Sequence, residues 1–224
     1  MLIPTRDRKD LFLTAVRSVN RTSKAHVMAY MDTDAPEYPD MGGAEVFHGP
    51  RVGPARGWAA LAKKAFTDGY DAVATMTDDS VVMTPGWDDW VEEVISVWPI
   101  AVVSPRCADS GVHRVDMPLV TKAFVEAVGW FIHPELFHYA WPSVIDALSD
   151  GICLFKAPQD KFHIRHNQVG AESPTFSADS RKFYEWYAWH KDDHRAMLRK
   201  AVEASTRGLT VSVGGLSWPV TSAV

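Results

Sequence analysis

Little in this 224-residue chain would staple it, anchor it or make it a polyelectrolyte. Its two cysteines, Cys107 and Cys153, form no metal-binding spacing, and so few thiols make no disulfide scaffold, so a reducing cytoplasm is the expected compartment. No apolar run approaches the roughly 20 residues that cross a bilayer. Met1-Leu2-Ile3 runs straight into Pro4 and the charged stretch Arg6-Asp7-Arg8-Lys9-Asp10, so no secretory leader is expected. Excess positive charge is missing as well. A formal net charge of -5 argues against a nucleic-acid coat or a polybasic membrane anchor, although it leaves room for a local basic patch. Repeats, low-complexity segments and a domain-separating linker are all absent.

What remains is an ordinary globular composition, 46% hydrophobic and 23% charged, of a length that suits one large domain. Nine tryptophans are the one oddity. Their faces stack on sugars and bases, but most are expected in the core. The chain opens with a short strand, Leu2 to Thr5, and a charged turn. Asp10 is placed to cap a helix whose apolar face carries Leu11, Phe12, Ala15, Val16 and Val19. A second strand, His26 to Met31, runs into the acidic loop Asp32-Thr33-Asp34-Ala35-Pro36. The Gly/Pro loop from Gly49 to Gly57 then enters a helix that buries Trp58, Leu61, Ala62, Ala65 and Phe66. Arg51 and Arg56 flank that helix start, where dipole and guanidinium both attract anions; two solvated arginines are the plain alternative.

Tyr70 to Ser80 is the stretch around which the rest is organised. Its apolar run, Ala72 to Met76, is short, not alternating and rich in small and β-branched residues, which suits a strand covered on both faces. It ends in Asp78 and Asp79. In open α/β sheets the ligand sits at the carboxyl ends of the parallel strands. Two carboxylates there either hold a hard divalent cation with phosphate oxygens completing its shell, or simply close a turn.

Farther along, a helix from Pro85 to Trp98 turns Trp90, Val91, Val94, Ile95 and Trp98 inward. A strand from Ile100 to Ser104 follows, then a polar loop or hairpin from Cys107 to Asp116 and a short strand from Met117 to Val120. Thr121 caps a helix from Lys122 to Val128, which Gly129 closes. Pro142 starts a helix carrying Val144, Ile145 and Leu148. Strands are expected at Ile152 to Ala157 and Lys161 to His166, with His166 on the face of Phe162 and Ile164. One long helix from Ala178 to Ser205 sets Phe183, Trp186, Tyr187, Met197, Leu198 and Val202 inward. A basic stripe of Arg181, Lys182, Lys191, Arg195, Arg199 and Lys200 faces outward.

Met76-Thr77-Asp78-Asp79-Ser80 followed by Thr84-Pro85-Gly86-Trp87-Asp88 resembles the Asp-x-Asp region of family 2 glycosyltransferases, and most closely the short, phage-type members. Ile3-Pro4-Thr5-Arg6-Asp7-Arg8 with Ala15-Val16-Arg17-Ser18-Val19 looks like that family's first strand and helix. Gly129-Trp130-Phe131-Ile132-His133-Pro134-Glu135 looks like its glycine-aromatic turn, and Phe162 to Asn167 like its strand-end histidine. The resemblance covers roughly the first three quarters of the chain. It implies an α/β GT-A fold over 1–224, with a mostly parallel Rossmann-like sheet flanked by helices. The nucleotide half would run to about 105, and the acceptor half from about 106 with the C-terminal helix.

It further implies a hexosyl- or pentosyltransferase that takes its sugar from a nucleotide diphosphate, expected to be a UDP-sugar, with Mn2+ or Mg2+. Metal ligation falls on Asp78 and Asp79 with His166 joining. Nucleotide-sugar contacts fall on Pro4, Thr5, Arg6, Asp32 or Asp34, Arg51, Arg56 and Asp78. Candidate bases are His138, Glu135 and Asp146, in that order. The expected acceptor is a hydroxyl, on a glycan, a protein or a hydroxymethylated base in phage DNA, in the host cytoplasm if phage-encoded. Two departures stand out: Ser80 replaces the second Asp of the usual motif, and Trp141-Pro142-Ser143 stands where relatives carry a carboxylate. A nucleotidyltransferase would show a basic glycine-rich signature near the first strand, which Pro4-Thr5-Arg6-Asp7 does not supply. A catalytically silent relative that binds glycan or nucleic acid is the other alternative.

Overall fold

The computed structural model describes residues 1–36, 38–107, 117–136, 141–166, 176–207, 210–213 and 216–219. In chain order the first half holds β1 (Leu2–Thr5), α1 (Lys9–Thr22), β2 (Met28–Asp32), β3 (Glu45–Gly49), α2 (Pro54–Thr67), β4 (Ala72–Ala74), β5 (Ser80–Val82), α3 (Trp87–Val97), β6 (Val102–Ser104) and β7 (Arg106–Cys107). The second half adds β8 (Leu119–Thr121), α4 (Lys122–Val128), α5 (Trp141–Ser149), β9 (Leu154–Lys156), β10 (His163–His166), α6 (Phe176–Trp189), α7 (Lys191–Thr206), β11 (Thr210–Val213) and β12 (Leu216–Pro219).

Parallel strands β1, β2 and β3 form one sheet. A second sheet runs β4-β8-β6-β9, with β8 antiparallel to both neighbours and β9 parallel to β6. A parallel bridge from Leu2 to Thr75 and the bond from Met76 N–H to Leu2 C=O (3.0 Å) join the two beside β1. Regular pairing of β4 therefore stops at Ala74, and the expected strand through Met76 continues as this bridge. A small sheet, β5-β10-β7, stands apart, and β11 pairs with β12 in a hairpin.

Alternation along the strands separates two cores. Leu2, Met28, Tyr30, Val73, Val102 and Val120 pack with α2, α4, α5 and α7, around Trp58 and Trp141. Ile3, Ala29, Ala74, Val103 and Leu119 face the opposite way, onto Phe12, Val16 and Val19 of α1, Trp87 and Val91 of α3, and Phe162 beside β10. Trp87 and Phe162 stack at 4.4 Å. Of the nine tryptophans, Trp58, Trp87, Trp141 and Trp186 are buried, Trp90, Trp98 and Trp130 are half-buried, and Trp189 is exposed.

Local signals that need no tertiary partner were legible. Thr121 accepts from Phe124 N–H (3.2 Å) as the N-cap of α4, and Gly129 closes that helix with a left-handed φ of 91°. Asp10 does not cap α1: the helix starts at Lys9 and Asp10 lies in its first turn, where its charge still opposes the helix dipole. The expected long C-terminal helix is two, broken at His190, whose backbone (φ -127°, ψ -17°) leaves the helical region. Face-counting through that break fails: Trp186, Leu198 and Val202 are buried, but Tyr187 and Met197 are exposed. Strands β3, β5 and β7 carried too little pattern to be read. None of the described helices is long and apolar enough to cross a membrane.

Candidate functional site

Strand β1 ends at Thr5 and α1 begins at Lys9, so Arg6, Asp7 and Arg8 turn at the carboxyl end of the sheet. The chain leaving Thr75 and Met76 passes alongside and delivers Asp78 and Asp79 to the same end. The Thr5 hydroxyl donates to Asp78 Oδ2 (2.9 Å). The Arg8 guanidinium spans both carboxylates, meeting Asp78 Oδ1 through Nη2 and Asp79 Oδ2 through Nη1 (2.8 Å). Asp79 Oδ1 accepts from His166 Nε2 (3.0 Å), a partner 87 residues away in sequence. Sheet register makes that contact: β10 runs antiparallel to β5 with His166 opposite Ser80. Ser80 itself is buried and shares a 2.6 Å hydrogen bond with Thr77. Where the usual motif has its second carboxylate, this chain closes the turn with paired hydroxyls.

Both carboxylates are buried, and their environments push them apart. Burial raises Asp78 to about 6, against the opposing pull of Arg8 and the Thr5 hydrogen bond. Burial also works on Asp79, but hydrogen bonds from His166 and Thr77 with the charges of His166 and Arg8 outweigh it and hold that group at about 2.

A second acidic cluster lies at the end of β2. Arg6 Nη2 donates to Asp34 Oδ2 (3.0 Å), and its Nε lies 3.9 Å from Asp32 Oδ2. Burial raises the Asp32 carboxyl, with Arg6 and Arg51 pulling the other way and Asp34 adding to the rise. Arg51 is therefore near Asp32, and Arg56 sits exposed in the first turn of α2. Gly57 has a packing reason. A Cβ there would lie 3.3 Å from Pro4 Cβ and 3.4 Å from Tyr30, so the glycine lets α2 settle on β1 and β2. Gly49 is stricter still: its Cβ would fall 2.1 Å from the Tyr30 hydroxyl, which donates to Pro50 C=O.

Beyond α4, Trp130 meets His133 edge-on at 5.3 Å, and Glu135 is exposed with its carbonyl held by Lys182 Nζ (2.9 Å). Asp146 is half-buried; burial and Asp150 raise its carboxyl and Lys156 lowers it. Those neighbours place it toward the β9 edge rather than at the Asp78–Asp79 pair. His138 lies outside the described residues. In the Trp141-Pro142-Ser143 stretch, where the resemblance implies a carboxylate, Trp141 is buried, 5.4 Å from Trp58 and 5.9 Å from Phe131 between ring centroids.

The structure thus gathers Thr5, Asp78, Asp79 and His166, with Arg6, Asp32 and Asp34 in an adjoining cluster. It adds Arg8, which sequence reading passed over as part of a charged turn. Arg195 moves the other way. Its Nη1 donates to Ala147 C=O (2.6 Å) and its Nη2 to Asp150 C=O (2.8 Å), so it caps the end of α5 and leaves the outward basic stripe.

Among the described residues no three His, Cys, Asp or Glu side chains form a ready-made metal centre. The donor chemistry nevertheless fits a divalent cation. Two buried carboxylates already share one cationic group, an imidazole touches one of them, and Mg2+ or Mn2+ commonly takes one or two carboxylates plus substrate phosphates.

No family model and no curated protein matches the chain. Solved structures do. S. aureus TarS, residues 1-349 in complex with UDP-GlcNAc, superposes with a TM-score of 0.62 over 92% of this chain and 72% of its own, at 12% identity. GalNAc-T7 with UDP, GalNAc and Mn2+ gives 0.60 over 91% and 54%, at 14% identity. The mannosyltransferase PcManGT from Pyrobaculum calidifontis, in complex with GDP-Man and Mn2+, gives 0.53 over 94% and 75%, at 11% identity. These are GT-A glycosyltransferases, and the fold of this chain is GT-A.

Proposed function

We propose that the chain is a glycosyltransferase that moves a sugar from a nucleotide-diphosphate sugar, a UDP-sugar in the first instance, to a hydroxyl acceptor. The observation that carries this reading is the buried Asp78–Asp79 pair at the strand-end crevice of a GT-A fold, directly against the Thr5–Arg8 turn. The similar structures hold UDP-GlcNAc, UDP or GDP-Man, two of them with Mn2+. A bound divalent cation supplies charge neutralisation for the departing diphosphate. Asp78 and Asp79 would hold it with His166, whose imidazole favours manganese over magnesium. Asp32 or Asp34 reads the base edge, and Arg6, Arg51 or Arg56 meets phosphate. The whole chain acts as one domain, with nucleotide on the half up to about 105 and acceptor on the half from about 106. We place the reaction in the cytoplasm.

A thermal-shift panel of nucleoside diphosphates and nucleotide sugars, with and without Mn2+, tests the reading. UDP with Mn2+ should raise the melting temperature more than either alone, since a ligand that binds only the folded state must stabilise it. Donor hydrolysis without acceptor should accompany it. A panel in which no diphosphate responds to Mn2+ rejects the reading.

Among acceptors, a hydroxymethylated base in DNA draws its support from Arg199 and Lys200, both exposed on α7; Arg195 is committed to α5. If those two residues meet phosphates, binding should weaken by roughly two logarithmic units per decade of salt. The Arg199→Ala/Lys200→Ala variant should flatten that slope. Salt-independent transfer to a neutral glycan would exclude DNA.

A further inference from the structure

All four oxygens of the Asp78–Asp79 pair are engaged. Asp78 Oδ2 takes the Thr5 hydroxyl and Asp79 Oδ1 takes His166, while the two remaining oxygens, one on each residue, belong to Arg8. A cation touching both carboxylates needs the place between them, and the guanidinium stands in it. The Arg8 side chain is 39% exposed, against 4% and 8% for its partners, so it closes the pair on the solvent side. Its backbone is fixed, because its carbonyl accepts the helix bond from Phe12 N–H (2.9 Å). Its side chain makes no capping bond. Leaving the carboxylates therefore breaks ion pairs without disturbing α1.

We propose that Arg8 is a tethered counter-cation that guards the Asp78–Asp79 pair, holding the place between the carboxylates until a diphosphate draws it away. The divalent cation then enters with the nucleotide and not before it. This rests on the nucleotide-sugar reading above. The physical reason is competition between like charges for one site. A planar fork satisfies two adjacent carboxylates well, but it satisfies a diphosphate equally well, with more negative charge to meet. Arg8 stands at the start of a 14-residue helix, where the dipole also favours the anion. Without nucleotide, an incoming cation must expel the guanidinium into water. With nucleotide present, the guanidinium has a second partner and the cation gains phosphate oxygens. Arg8 is thus a positioning residue that couples the order of binding.

The test titrates Mn2+ into the metal-free full chain at pH 8, reading free Mn2+ by electron paramagnetic resonance, with and without UDP. Wild type should bind Mn2+ weakly alone and much more tightly with UDP. Arg8→Gln should bind Mn2+ alone ~tenfold or more tightly than wild type, the scale of losing one charge-assisted competitor. The enhancement by UDP should shrink to match. Arg8→Lys, a single point charge, should fall between the two, and it carries the test if the glutamine variant fails to fold. Unchanged Mn2+ affinity in Arg8→Gln, while wild type keeps its UDP coupling, overturns the guard and leaves the donor reading intact. No coupling between Mn2+ and UDP in wild type overturns both.

Discussion

Asp79→Asn should abolish the Mn2+-dependent part of nucleoside diphosphate binding and lower sugar transfer by at least about a hundredfold, the scale of losing one preorganised electrostatic contact in a dry site. Asp79 meets Arg8 on one oxygen and His166 on the other. Asparagine keeps the shape but removes the charge, and turns one oxygen into an N–H donor facing either another donor or the imidazole. Native contacts also hold the Asp79 carboxyl at about 2, below the usual 3.8. The substitution should therefore cost about 2 kcal/mol of stability at neutral pH, which lowers the melting temperature without unfolding the protein. Circular dichroism checks the fold, and calorimetric titration of UDP with and without Mn2+ gives the decisive comparison. If the variant retains the wild-type metal dependence, Asp79 is not a ligand.

The second large effect lies in pH. Asp78 is raised to about 6 by burial, so between about pH 4 and 6 the folded chain keeps a proton that the unfolded chain has released. Stability must then fall as pH rises through that window, by roughly 3 kcal/mol from this group alone. Above pH 6 the carboxyl is ionised in both states and the decline stops. Asp79 acts in the opposite direction and lower down: its stabilising contribution is full above about pH 4 and is lost as pH falls toward 2. A cation requires Asp78 deprotonated, so cation and proton compete. The extra melting-temperature rise given by Mn2+ with UDP should be full above pH 7 and fade as pH falls through 6. Asp78→Asn should remove the decline between pH 4 and 6 in the metal-free protein and abolish the Mn2+ effect at every pH. A metal effect that stays constant from pH 5 to 8 would place the cation elsewhere.

Some of this site was legible before any fold was known. Asp78 and Asp79 end an apolar run, and a run covered on both faces puts its carboxyl end at a ligand crevice wherever the sheet lies. The Thr121 cap and the Gly129 stop of α4 were legible because capping uses atoms three or four residues apart. The alternation of Leu2 and Ile3 between two cores follows from the strand period. The order of motifs along the chain carried the family resemblance, and with it the GT-A fold.

What the sequence could not carry was any partnership set by long-range register. His166 reaches Asp79 because β10 lies antiparallel to β5, a strand with too few residues to show a period. Arg8 looked like one charge among five in a surface turn, and only the approach of the Asp78–Asp79 segment makes it a bridge. Arg195 looked like part of an outward stripe until the break at His190 turned α7 against α5 and gave it carbonyls to cap. Composition and period fix which face of an element is apolar, because those depend on neighbours along the chain. The partner of a charge is fixed by which elements pack together, and for these three side chains only the tertiary structure decided it.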